Sequence, residues 1–186
     1  MPDDPEQPPR AIRHAYESAG VEGFYRQSGS AYRNPHEPQI VRSLEIAARD
    51  WPLDLCRVLD LAAGSGEVTL ALRELGAASI DAIDPYTHAA YQERTGASAS
   101  RETFEQIAAG ALAGKRCSLI VCSFALHLVD PSRLPRLALE LSTVGDSLLI
   151  LTPHKRPHLK PQWGWELTHE MVVHRVRSRL YRSTAR

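Results

Sequence analysis

Short apolar runs alternate along this chain with longer windows in which apolar residues recur at helical spacing. Runs of this length are typical of buried strands in a parallel sheet, and the windows between them suit crossover helices. The pattern therefore predicts an α/β protein with a doubly wound, mostly parallel sheet. The predicted strands cover residues 56–61, 79–84, 97–100, 117–123 and 146–152, and the predicted helices cover residues 66–75, 86–95, 102–109 and 131–143.

The two ends of the chain differ from this middle part. Residues 1–9 are acidic and proline-rich, which predicts a disordered lead. Two helices are expected within residues 10–50, the second one opening at Pro38, because proline is favoured in the first turn of a helix. We expect these helices to form an N-terminal lid. After the fifth strand, residues 165–168 and 171–182 predict two further strands, so that the sheet would be seven-stranded.

The length and the composition limit the class of protein. A chain of 186 residues suits one domain, expected to span residues 10–186 with its core at 55–183. No apolar run approaches the roughly 20 residues needed to cross a bilayer, so we expect a cytoplasmic protein with no membrane partner. The three cysteines lack the spacing of a metal site or a disulfide framework, so no metal site is predicted.

The formal net charge of zero hides an uneven distribution. Residues 151–186 carry eight Lys and Arg against two Glu, a formal +6, while residues 1–150 carry fourteen basic against twenty acidic residues, a formal −6. Two interpretations of the basic end remain open. It could be a charged edge strand that resists edge-to-edge pairing, or a surface that faces RNA or a phosphorylated substrate.

The segment from residue 58 to residue 70, VLDLAAGSGEVTL, points most clearly to a ligand site. An apolar strand containing Asp60 runs into a turn of small residues and then into a helix. Gly64 and Gly66 allow positive φ and a close approach of the backbone to a ligand, and the start of the helix offers free N–H groups. Asp84 ends the next strand, where a ribose-binding carboxylate is expected. These features predict a site for a nucleotide-sized ligand.

The details of this turn separate two families of nucleotide-binding proteins. A dinucleotide site requires G-x-G-x-x-G, and here Thr69 stands at the third glycine. The segment instead resembles motif I of the class I S-adenosylmethionine (SAM) dependent methyltransferases, D-x-G-x-G-x-G, with alanine in place of the first glycine. The resemblance continues in order along the chain, through the motif II acid and the fourth and fifth strands. It is carried by Asp60, Ala62, Gly64, Gly66, Asp84 and the segments 119–124 and 147–152.

The resemblance implies a Rossmann-like fold whose last strand is antiparallel, and SAM as the cofactor. It implies that the backbone from Ala62 to Gly66 contacts the methionine part, that Asp84 binds the ribose, and that Pro85 lies against the adenine. Asp84 could instead cap the helix that follows, and Phe104, the best apolar candidate for the adenine wall, could instead be core. The expected cofactor-binding residues are Asp60, Ala62, Gly64, Gly66, Asp84, Pro85, Phe104 and Ser123.

Candidates for catalysis and for acceptor binding lie in the loops after the fourth and fifth predicted strands. His127 is the titratable side chain of the first loop and could serve as a general base, or could fix the loop by a hydrogen bond. His154 and Lys155 in the second loop suggest an anionic acceptor, or a solvated surface. Tyr25 and Tyr32 of the lid could enclose a flat acceptor, or pack the lid onto the sheet.

The expected function is therefore that of a SAM-dependent methyltransferase, whose acceptor is a small molecule or RNA and is anionic if the basic end faces it. The chain has no Asn/Asp-Pro-Pro-Tyr/Phe motif after the fourth strand, so DNA is not expected as a partner. One alternative is a catalytically inactive SAM-binding partner or regulatory subunit. A nicotinamide-dependent oxidoreductase is a weaker alternative, because Thr69 breaks the dinucleotide pattern. The sequence does not predict the oligomeric state.

Overall fold

The structure, a computed structural model, describes residues 33–185. The predicted lead, the first predicted helix, Tyr25 and Tyr32 lie outside the described residues. No helix among residues 33–185 is long and apolar enough to cross a membrane.

The described residues form alternating helices and strands around one mixed sheet. The helices are α1 (Glu37–Asp50), α2 (Glu67–Glu74), α3 (His88–Thr95), α4 (Phe104–Ala108) and α5 (Leu134–Val144), with short 3₁₀ turns at Leu126–Leu128 and Pro161–Trp163. The strands are β1 (Val58–Leu61), β2 (Ile80–Ile83), β3 (Cys117–Ser123), β4 (Gly145–Thr152), β5 (Trp165–Val173) and β6 (Val176–Ser183).

The sheet has the strand order β2-β1-β3-β4-β6-β5. Strands β2, β1, β3 and β4 are parallel, and β6 is antiparallel to both of its neighbours. Because side chains alternate across a strand, β1, β3 and β4 present Val58, Leu119 and Leu149 to one face and Leu59, Ile120 and Leu148 to the other. Each face is covered by helices. The predicted α/β, doubly wound architecture is confirmed.

The third predicted strand, at residues 97–100, is not formed in the described part of the chain. Residues 97–100 make a single parallel bridge between Ser100 and Ile83, in which Ser100 N donates to Ala82 O (2.9 Å) and Asp84 N donates to Ser100 O (2.8 Å). The segment consists of alternating Ala and Ser, so it offers too little apolar side chain to hold a longer strand against the helices. The described sheet is therefore six-stranded rather than seven-stranded.

Two further predictions need correction. The helix opened by Pro38 is a core element rather than a lid, because Ile40, Leu44 and Ala47 are fully buried against one face of the sheet. At the other end, Met171 belongs to β5 and not to the last strand, since the chain turns at His174 and Arg175. Both residues have positive φ, as a two-residue hairpin turn requires, but neither is the Gly or Asn that marks such a turn in a sequence.

Candidate functional site

A cavity of about 480 Å³ opens at the carboxyl ends of β1, β2 and β3. The order of the strands reverses at this point: the chain runs from β1 to β2 on one side and then crosses over to β3 on the other side of β1. Ligands of doubly wound folds bind at such a switch point. The wall of the cavity is formed by residues 34, 61–64, 67–68, 83–87, 102–105, 123–125, 128–130 and 133.

The small-residue turn after β1 forms the floor of this cavity. Ala62 and Gly64 both have positive φ (58° and 59°) and lie in the cavity wall. Gly66 is left-handed as well, but it lies outside the wall and is the N-cap residue of α2. A Cβ placed on Gly66 would lie 2.3 Å from Thr95 Cγ2 of α3. Gly64 therefore exposes backbone to the cavity, whereas Gly66 lets α2 and α3 approach each other.

Asp60 lies beneath the turn and does not line the cavity. Its side chain is 0% exposed, and Oδ2 accepts a hydrogen bond from Thr69 Oγ1 (2.7 Å), which in turn lies 3.0 Å from the Tyr91 hydroxyl. Oδ1 has no hydrogen-bond partner among the described residues. Removal from water raises the pKa of Asp60 to about 7, against the lowering effect of the Thr69 hydrogen bond. Asp60 and Thr69 thus hold α2 and α3 beneath the turn.

Asp84 connects the turn after β1 to the turn after β2. Its Oδ2 accepts from Gly64 N (3.0 Å), and its Oδ1 accepts from Tyr86 N (2.9 Å) and Thr87 N (2.7 Å). Thr87 Oγ1 donates back to Gly64 O (2.7 Å). The side chain is only 6% exposed, yet it forms part of the cavity wall. The carboxylate therefore fixes both turns and also faces the space that a ligand would fill.

The opposite wall comes from α4 and from the end of β3. Thr103 caps α4 through a capping box with Gln106, which positions the adjoining Phe104 in the wall. Ser123 ends β3 in the wall, and its hydroxyl has no hydrogen-bond partner among the described residues. The next residue, Phe124, has a φ of 53°, and its ring stacks on His36 with a centroid separation of 5.3 Å.

The wall of the cavity is acidic. It contains five carboxyl groups and one guanidinium, that of Arg133, which donates to Glu105 Oε1 (2.8 Å). A cavity with a formal excess of four negative charges attracts a cationic ligand and repels an anionic one. The carboxyl groups belong to Glu67, Asp84, Glu102, Glu105 and Asp130.

Three of the residues predicted for catalysis and acceptor binding, His127, His154 and Lys155, lie outside the described wall. The His127 ring packs edge-on against the His154 ring, with a centroid separation of 4.7 Å. Burial, and secondarily the neighbouring His154, lower the pKa of His127 to about 4, so this imidazole is a weak base. His154 and Lys155 are exposed to solvent. The catalytic role of His127 and the acceptor roles of His154 and Lys155 stay predictions.

The structure brings together Ala62, Gly64, Asp84, Pro85, Phe104 and Ser123, and it adds wall residues that the sequence analysis missed. The two most informative are Glu67 and Phe124. Glu67 is the first residue of the helix after the glycine turn, and Phe124 directly follows a predicted strand at its carboxyl end. These positions could have been recognised in the sequence as edge positions facing a ligand.

No protein-family model matches the chain. An uncharacterized protein of Schizosaccharomyces pombe is 31% identical over an alignment 230 residues long, which covers 94% of this chain and 93% of that protein.

Among solved structures, magnesium protoporphyrin IX methyltransferase from Synechocystis PCC 6803 with bound SAM superposes with a TM-score of 0.59 at 17% identity, over 91% of this chain and 93% of that one. A putative RNA methyltransferase from Pyrococcus horikoshii superposes with a TM-score of 0.61 at 14% identity, over 82% of this chain and 86% of that one. The class I methyltransferase fold implied by the sequence is confirmed.

Proposed function

We propose that this chain is a SAM-dependent methyltransferase, because it has the class I methyltransferase fold. It belongs to the same family as the Schizosaccharomyces pombe protein. The observation that carries this proposal is the acidic cavity over the glycine turn, with Asp84 in its wall. SAM has a sulfonium and an ammonium against a single carboxylate, so its net positive charge suits this wall. The pyrophosphate of a nicotinamide dinucleotide is anionic and would be repelled.

Different residues of the cavity wall can bind the methionine part, the ribose and the adenine of the cofactor. The turn at Ala62 and Gly64 offers backbone to the methionine part, while Asp84 can accept hydrogen bonds from the ribose hydroxyls. Pro85 and Phe104 supply apolar surface for the adenine. Bound SAM would supply an activated methyl group, whose transfer requires in-line alignment with the acceptor and exclusion of water. Phe124 and Asn34 lie at the wall on the side of β3 and α1, where an acceptor could enter.

The charge of the site bears on the class of acceptor. The loop with His154 and Lys155 lies outside the cavity wall, and the wall itself is acidic. Arg179, which is 4% exposed, donates to Glu170 and to Pro157 O, and Arg177 also pairs with Glu170. A phosphate-bearing acceptor would meet few free cations near the cofactor. We therefore favour a neutral or cationic small molecule over RNA.

A second candidate function is that of a SAM-binding partner without activity of its own. The observation in its favour is that no His or Lys occurs among the described residues of the cavity wall, so the bases available there are carboxylates and the Tyr86 phenol. The cytoplasmic location also stays a prediction.

Calorimetry with SAM, S-adenosylhomocysteine (SAH) and NAD tests the cofactor, with binding of SAM and SAH expected and no binding of NAD. Tight binding of NAD alone would contradict the proposal. Transfer of a labelled methyl group to a metabolite extract and to total RNA then tests the activity. Label in the metabolite pool supports a small-molecule methyltransferase, label in RNA contradicts the favoured acceptor class, and SAM binding without label in either pool supports the inactive partner.

A further inference from the structure

Glu67 is a buried acid in the cavity wall that the cofactor assignments above do not use. It is the first residue of α2, directly after Gly66, and is only 4% exposed. Its side chain folds back over the turn, so a Cβ placed on Gly64 would lie 3.2 Å from Oε2 and 3.3 Å from Oε1. The carboxylate therefore lies beside the backbone of Gly64, which faces the cavity.

The charge of Glu67 has little compensation from the described part of the chain. Ser65 Oγ donates to Oε2 (3.2 Å), and no salt bridge among residues 33–185 includes Glu67. The nearest cation, Arg94, is 3.5 Å from Ser65 Oγ but forms its ion pair with Glu37 of α1. Burial raises the pKa of Glu67, with a smaller contribution from Glu37, while its own backbone N–H, the Ser65 hydroxyl and the more distant Arg94 lower it.

A buried carboxylate that has no ion pair among the described residues favours a ligand that supplies a cation. The position of Glu67 next to the turn at Gly64 limits which cation that can be. If the proposed function holds, the turn contacts the methionine part of SAM, which carries an α-ammonium with three N–H donors. The sulfonium has no N–H group, so it cannot form the charge-assisted hydrogen bonds that an ammonium forms with a carboxylate.

We propose that Glu67 is the counter-ion of the α-ammonium of the bound cofactor, an inference that rests on the proposed function. In this arrangement Ser65 holds the carboxylate over the turn, and Arg94 with Glu37 connects that position to α1. Glu67 then selects ligands that carry an amino acid end over nucleosides that lack the ammonium.

The test is a calorimetric cycle with two proteins and two ligands. The proteins are the wild type and Glu67→Gln, and the ligands are SAH and its deamino analogue, in which a hydrogen replaces the ammonium. We expect the wild type to bind SAH about 10- to 100-fold more tightly than the deamino analogue, which is the range for hydrogen bonds to charged groups. Glu67→Gln should lose most of this preference because its SAH affinity falls. Glu74→Gln, an exposed acid of the same helix, is the matched control and should keep the preference.

The outcomes separate this inference from the proposed function. If the wild type binds neither SAM nor SAH, the proposed function fails and the inference fails with it. If the wild type binds SAH but does not prefer it to the deamino analogue, the inference alone is overturned, and this arm needs no variant. It is also overturned if Glu67→Gln keeps the preference, or if the variant weakens SAM but not SAH, which would assign Glu67 to the sulfonium.

Discussion

The turn after β1 and the loop after β4 leave the same edge of the sheet, yet they differ in what they build. The turn after β1 forms the floor of a cavity and is tied to the next turn by the carboxylate of Asp84. The loop after β4 is rich in cations and largely exposed, and it contributes nothing to the described cavity wall. A concentration of charge along the sequence is therefore a poorer guide to this site than the position of small residues at a strand end.

The two regions also use charge differently. Around the turn after β1, carboxylates face the cavity with few cations to balance them. In the C-terminal hairpin, Arg177 and Arg179 are both bound by Glu170, so their charges serve the fold. We therefore expect that removing a carboxylate from the cavity wall weakens ligand binding, whereas removing a cation from the hairpin lowers stability.

The largest effect is expected for Gly66→Ala, which tests how tightly the turn is built. The new Cβ would lie 2.3 Å from Thr95 Cγ2, and the residue would keep a φ of 91°. Overpacking and left-handed strain together should lower the free energy of unfolding by about 4 kcal/mol. Gly76→Ala is the control, because Gly76 has a φ of 85° but no atom within 4 Å of the new Cβ. Gly76→Ala should lower the free energy of unfolding by only about 1–2 kcal/mol. Equal losses in urea unfolding would contradict the packing argument.

The next largest effect is a loss of ligand affinity, which we expect for Asp84→Ala. The variant removes the ribose acceptor and leaves Gly64 N, Tyr86 N and Thr87 N without their carboxylate. Calorimetry should show SAH affinity reduced about 100-fold, the equivalent of nearly 3 kcal/mol. Asp81→Ala, an exposed acid of β2, should bind SAH as the wild type does. Unchanged affinity of Asp84→Ala would remove Asp84 from the site.

A third prediction uses the buried Asp60 beneath the turn. Its pKa is about 7 in the folded protein against about 3.9 in the unfolded chain, so the folded state binds the proton more tightly. The stabilisation is complete below about pH 4 and is lost as the pH rises to about 7, which costs about 2.5 kcal/mol between pH 5 and pH 8. Asp60→Asn does not titrate and should lack this part of the pH dependence. Parallel pH profiles of unfolding for the two proteins would contradict the raised pKa.

The smallest effect is expected for the cations of the C-terminal hairpin and of the loop after β4. Arg179→Met removes one of the two cations bound to Glu170 and the donor to Pro157 O, and should lower the free energy of unfolding by about 2 kcal/mol. Lys155→Met, at an exposed cation of the loop after β4, should change it by less than about 0.5 kcal/mol. Neither variant should change SAH affinity. A large loss of affinity in Lys155→Met would restore this loop as part of the site.

The sequence predicted the sheet well where a strand is long or is followed by a distinctive turn. β1 and its glycine turn are recognisable because glycines at a strand end mark a backbone that takes positive φ or approaches another group closely. The segment 97–100 has the composition of a weak strand, but it depends on neighbours for its single bridge to Ile83, and such tertiary support is invisible in a sequence. His174 and Arg175 are not recognisable as a turn because they lack the usual residues.

The site was predictable in part for a similar reason. Asp84 was singled out because its position after a strand is diagnostic, and its carboxylate both holds the turn before α3 and lines the cavity. Glu67 was missed because its direction depends on the left-handed Gly66 before it and on the Ser65 hydroxyl that holds it. His127 was singled out for its chemistry, but the fold turns its ring toward His154.

A crystal structure of the protein with bound SAH would show directly whether the cofactor occupies the cavity over the glycine turn. We expect the ribose at Asp84, the adenine between Pro85 and Phe104, and the amino acid end over the turn at Ala62 and Gly64. An adenosine bound elsewhere on the protein, or a cavity filled by the protein's own side chains, would contradict this expectation.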